Sequence, residues 1–158
     1  MSTTATMSAP AALIDVLNSL LEAEQTSIFR FMGEGSPYLS RASADVRKPL
    51  VEMVNTIQDR AGRLADKIES LGGVPTNIPR GIDREEQYLA FLTLKFLLPK
   101  LVEAKQGLIE RYENALKALR PNDSSAADAK SLLTALLAEH HAQMDTLKTA
   151  AARVAEKK

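Results

Sequence analysis

Apolar residues recur at every third or fourth position through four long segments of this chain, and that period commits each segment to a helix with one buried face. In the first segment Leu13, Leu17, Leu20 and Leu21 lead through Glu24 to Ile28 and Phe31. The second carries Ile57, Ala61, Leu64, Ile68 and Leu71, with Arg60 on the same face. The third carries Leu98, Leu101, Lys105, Leu108, Tyr112, Leu116 and Leu119. Leu133, Leu136, Leu137, His140, Gln143, Met144, Leu147 and Ala151 make the fourth.

Breakers set the ends. Pro10 suits a first helical turn, with Ser8 or Ala9 near the cap, and the helix is expected to run to about Met32. Gly33, Gly35, Ser36 and Pro37 stop it. The second helix is predicted from Ser43 or Asp45 to Leu71, with Pro49 in its first two turns and Gly72-Gly73-Pro75 at its end. The third is expected from about Glu85 to Leu119, kinked or shortened at Pro99. After a turn at 120–123, Asp123 or Ser124 caps the fourth.

Composition narrows the function classes. At 158 residues the chain has one domain's worth of sequence, read as a disordered tail over 1–9 and a helical domain over 10–156. Lys plus Arg and Asp plus Glu both number 20, so no global field attracts nucleic acid or an anionic membrane. The tail lacks the lysines of a DNA-binding arm. The absence of cysteine excludes disulfides, thiolate metal sites and cysteine nucleophiles. MSTTATMSA lacks the basic start of a secretory signal, and the richest apolar run, 91–102, is broken by Lys95, Pro99 and Lys100. A cytoplasmic protein with neither membrane nor nucleic acid as partner is the expectation.

Four such helices bury their stripes only against one another, which makes an all-α four-helix bundle the natural architecture. The segment 72–83, GGVPTNIPRGID, holds three Gly and two Pro. At about 3.3 Å per extended residue it reaches roughly 40 Å. A helix of about 27 residues is also roughly 40 Å long. The segment is therefore long enough to cross the whole bundle, and an up-down-up-down path is open as well.

The charged residues on the stripes need an explanation, because lysine, arginine and glutamate are rarely buried alone. One reading of Arg60 and Lys105 is snorkelling, with the stems on the bundle and the charged heads in water. The other is a buried polar knot built on Glu24 and Arg60, with Lys105 as a second candidate partner of Glu24 and with His140 and Gln143 completing the hydrogen bonds. His140 reads as a satisfied core histidine rather than a ligand, and His141, about 100° around the helix, as solvent-facing. Glu103, Glu110 and Glu113 read as a solvated face with Lys100, Lys105 or Lys117 as neighbours, and the 89–102 run as core or a dimer contact.

Three stretches resemble bacterioferritins, members of the ferritin-like superfamily. LNSLLEAEQTSIFRF at 17–31 resembles their first helix, whose central Glu binds iron. ADKIESLGGVP at 65–75 is similar to the end of their second, where the chain departs for a long crossover. AEHHAQMDTL at 138–147 is similar to the segment of the fourth that holds a Glu-x-x-His. The resemblance implies two antiparallel helix hairpins joined by that crossover. It also implies a di-iron site of four carboxylates and two imidazoles inside the bundle.

Carried over residue by residue, the ligand positions fall on Glu24, on Ile57 and Arg60, on Lys105, and on His140 and Gln143. No Glu-x-x-His occurs in the chain. One carboxylate would face two ferrous ions together with two protein cations, and like charges about 4 Å apart repel by roughly 4 kcal/mol even at an effective dielectric near 20. Gln58 stands where a haem-ligating Met would be, so haem is not implied.

The expectation is a ferritin-like protein that has lost the di-iron centre and keeps a metal-free polar core at the vestigial site. It would have no catalytic, metal or cofactor-binding residues and a structural, interaction or regulatory role, as a homodimer or larger homo-oligomer. The rival readings are an iron-binding ferritin-like oxidase or store with a rebuilt or single-metal site, and a small-ligand-binding bundle.

Overall fold

The computed structural model describes residues 9–26, 44–76, 94–119 and 124–156. They form four α-helices: α1 Ala9–Gln25, α2 Ala44–Ser70, α3 Leu94–Ala118 and α4 Ser124–Glu156. The tail before residue 9, Ile28, Phe31 and the expected end at Met32, and the expected start at Glu85 lie outside the described residues. Pro10, Pro49 and Pro99 all sit within the first two turns of their helices. There a missing N–H costs at most one early backbone bond, and α3 continues helical through Pro99.

The end of α2 shows how local sequence fixes a helix boundary. Gly72 takes φ +86°, a left-handed conformation open to glycine at little cost. Its N–H reaches the carbonyl of Glu69 at 2.9 Å, and the N–H of Gly73 reaches Ile68 at 2.9 Å. These two bonds define a Schellman cap. Gly73 is needed for a different reason. A Cβ there would lie 2.8 Å from Ile14 Cγ2, so only glycine lets the departing chain pass that close to α1. Asn18 then holds the next residues, accepting from the Thr76 N–H at 2.8 Å and donating to the Val74 carbonyl at 3.2 Å.

The apolar stripes form two clusters, one toward each end of the bundle. One joins Val46, Leu50, Met53 and Ile57 of α2 to Leu97, Leu98 and Leu101 of α3 and to Leu147 and Ala150 of α4. The other joins Leu13, Leu17, Leu20 and Leu21 of α1 to Leu64, Ile68, Tyr112, Ala115, Ala129, Leu133 and Leu136. The early residues of α2 and α3 therefore share one end, and their late residues share the other. The two helices run parallel, α4 runs against both, and α1 runs against α2.

The end of α2 and the start of α3 therefore lie at opposite ends of the bundle. This is the long-crossover topology. An up-down-up-down path would make α2 and α3 antiparallel neighbours. The main packing pairs are instead α1–α2, α3–α4, α2–α4 and α1–α3. No helix among the described residues is long and apolar enough to cross a membrane.

A candidate functional site in the polar layer between the apolar clusters

Between the two clusters, each helix turns one polar side chain or more into the core. Glu24 follows Leu20 and Leu21 on α1, and Arg60 lies between Ile57 and Leu64 on α2. Lys105 lies between Leu101 and Leu108 on α3, and His140 between Leu136 and Met144 on α4. All four are shut away from solvent, with exposures of 0–1%. Snorkelling is thereby excluded for both Arg60 and Lys105.

Hydrogen bonds close these residues into a ring that touches all four helices. Arg60 Nε donates to Glu24 Oε2 at 3.1 Å and lies 3.2 Å from Oε1. His140 Nε2 lies 2.7 Å from Glu24 Oε2, and its Nδ1 lies 3.0 Å from Lys105 Nζ. Lys105 Nζ also donates to Gln143 Oε1 at 2.7 Å. Gln143 Nε2 and Arg60 both donate to the Thr56 hydroxyl at 2.9 Å, and that hydroxyl donates in turn to the Met53 carbonyl at 2.7 Å.

Proton directions follow from the donors available. The carboxylate and the Thr56 hydroxyl receive, whereas Lys105 and Arg60 supply. The ring of His140 then carries its proton on Nε2, facing Glu24, and accepts at Nδ1.

Two residues outside the ring shape its electrostatics. Tyr112 donates its hydroxyl to Glu24 Oε2 at 2.7 Å, and its ring lies 5.0 Å from that of His140. Glu139, one-third exposed, comes within 3.8 Å of Arg60 and takes short bonds from Arg63 at 2.6 and 2.8 Å. Arg63 also donates to Asp59 at 2.7 Å, so an outer ion pair covers the inner one.

Burial alone would raise the Glu24 pKa. The His140 hydrogen bond, the Arg60 charge and the Tyr112 hydroxyl outweigh it and hold the carboxyl at about 2. Burial, and then the charge of Arg60, bring Lys105 down to about 7 against the pull of Glu24. Burial likewise lowers His140 despite its bond to Glu24, and burial with the Glu24 charge raises Tyr112.

Of the six residues singled out from sequence, five lie in the ring: Glu24, Arg60, Lys105, His140 and Gln143. Ile57 is buried with the apolar cluster and, having no polar side-chain atom, stays outside it. The arrangement corrects one detail: Lys105 reaches Glu24 through His140. On the Glu103–Glu113 face, Glu110 takes a bond from Gln106.

Sequence reasoning missed Thr56, Glu139 and Arg63, and took Tyr112 for plain core. Thr56 stands one turn before Arg60, a spacing that would have placed it on the same face. The run 89–102 divides in the structure: Leu97, Leu98 and Leu101 are core, whereas Phe96 is 61% exposed.

Both oxygens of the one central carboxylate face the Arg60 guanidinium, and a second cation stands one side chain away. Among the described residues no group of three or more His, Asp or Glu is placed to hold a metal ion.

No protein-family model and no curated protein matches the sequence. Among solved structures the fold is similar to the bacterioferritin-related protein of Bacteroides fragilis, described as a dodecameric thioferritin. The TM-score is 0.71 with 22% sequence identity, over 92% of this chain and 88% of the other. At that identity the likeness shows a shared ferritin-like fold.

Proposed function

We propose that the ferritin-like fold serves here without its di-iron centre, in a non-catalytic structural, interaction or regulatory role. The observation that carries this reading is the Arg60 guanidinium 3.1 Å from the central carboxylate of Glu24. A protein cation takes the electrostatic place that a metal cation would need. Lys105 adds positive charge where a second carboxylate would be required, and the ring members satisfy one another's hydrogen bonds.

The dodecameric assembly of the Bacteroides fragilis protein supports a homo-oligomeric state for this chain. A cytoplasmic location, with neither nucleic acid nor membrane as partner, completes the reading.

Metal analysis of the purified protein, with a ferrous-oxidation assay, tests it. The expected result is substoichiometric metal and no oxidation above the buffer rate. Stoichiometric iron or rapid oxidation overturns the reading and restores an iron oxidase or store with a rebuilt site.

A further inference from the structure

Lys105 and His140 meet nitrogen to nitrogen, 3.0 Å apart, and neither is more than 1% exposed. A contact of this kind holds a single proton between its atoms. An ammonium donates into the lone pair of a neutral imidazole, or an imidazolium N–H donates into the lone pair of a neutral amine. An ammonium facing an imidazolium sets two donors head to head with no acceptor between them, and their charges repel. The pair therefore tolerates one positive charge and not two.

Among the described residues, charged and polar groups from all four helices surround the pair. From α1, Glu24 occupies the other ring nitrogen at 2.7 Å, so turning the ring away from Lys105 would forfeit that bond. From α2 come the Arg60 cation and the neutral Thr56 hydroxyl, which already accepts two bonds. From α3 Tyr112 donates to the same carboxylate. From α4 Gln143 directs its oxygen to Lys105, while Glu139, nearer solvent, is engaged by Arg63. Added charge at Nδ1 thus meets Lys105 and Arg60 together, with Glu24 already spoken for.

We propose that the Lys105–His140 contact is an acid-released latch between α3 and α4: protonating His140 while Lys105 is charged severs it and opens the polar layer at mid-bundle. The latch rests on the metal-free reading of the core. Burial places the release below the ordinary histidine range, which keeps the bundle closed at neutral pH.

Amide hydrogen exchange of the full chain tests the latch from about pH 7.5 to about pH 4.5, corrected for intrinsic exchange. Protection of segments 101–112 and 136–147 should fall by about tenfold per pH unit below the midpoint, as one-proton linkage requires, and return on neutralisation. In Lys105→Gln the acid step should vanish, because a side-chain amide can flip to meet either ring state without a charge. His141→Gln, at the exposed neighbouring histidine, should keep the step.

An unchanged step in Lys105→Gln, its loss in His141→Gln, or no step in the wild type would each overturn the latch. Metal measured in the same samples separates the two readings. Bound metal released at the step overturns the metal-free core itself, whereas a metal-free protein without the step overturns the latch alone.

Discussion

Leu64 and Arg60 occupy successive turns of α2, both sealed from water, yet they belong to regions built on opposite rules. Leu64 sits in an apolar cluster where any neighbour of suitable size and shape contributes packing, without direction. Arg60 sits in a layer where each atom needs a particular partner at a particular angle, and where a missing partner leaves a charge in a low-dielectric core. The apolar ends supply most of the driving force for folding. The polar layer adds little net stability and penalises any wrong register of the four helices.

Breaking each region in turn exposes the difference. Arg60→Ala should have the largest effect, about 3–5 kcal/mol in denaturant unfolding, because it strands Glu24 without its charged partner. An unfolding midpoint equal to wild type would sink the buried-pair description. Adding Glu24→Gln to Arg60→Met should recover most of that loss, since the two charges then leave together.

Leu64→Ala should cost about 3 kcal/mol through lost contacts and a residual cavity. No single neighbour should rescue it. That contrast, rescue in one region and none in the other, is the sharpest test of the comparison. Tyr112→Phe keeps the apolar packing but removes one donor from the carboxylate, for about 1.5–3 kcal/mol.

The pH dependence comes from the polar layer as well. Lys105, at about 7 in the fold, lies below its ordinary value of 10.5. Between those values the unfolded chain holds a proton that the folded one has released, so stability rises with pH across the window. The slope reaches at most about 1.4 kcal/mol per pH unit. Below pH 7 the full cost of the buried cation is present. Lys105→Met should flatten the rise, as chemical denaturation at several alkaline pH values would show.

Glu24 acts on the acid side in the opposite sense. Its contribution is complete above 4.5 and lost as pH falls toward 2. The smallest effect belongs to Arg63→Ala. That arginine is 35% exposed and its pairs with Asp59 and Glu139 are screened, so the change should stay below about 1 kcal/mol. A loss as large as that of Arg60→Ala would mean that the outer pair holds the inner one in place.

The chain's own pattern determined the four helices, most of their buried faces, and the positions at which charge interrupts an apolar stripe. Those are properties of one segment at a time, set by the 3.6-residue period and by capping chemistry. Gly72 and Gly73 mark the end of α2 before any neighbour is known. Tertiary structure decided which faces meet. The parallel run of α2 and α3 follows from how the clusters assemble, since segment 72–83 was long enough for a crossover without requiring one.

It also decided how the polar residues pair. Lys105 was legible as a misplaced cation, but its bond to His140 rather than Glu24 depends on the axial register of α3 against α4. Thr56 and Tyr112 looked like ordinary members of their helices until packing brought Arg60, Gln143 and Glu24 within hydrogen-bond reach of them. A stripe shows that a side chain points inward. Only the opposing helices, held within a few tenths of an ångström by the packing around them, fix which atom it meets.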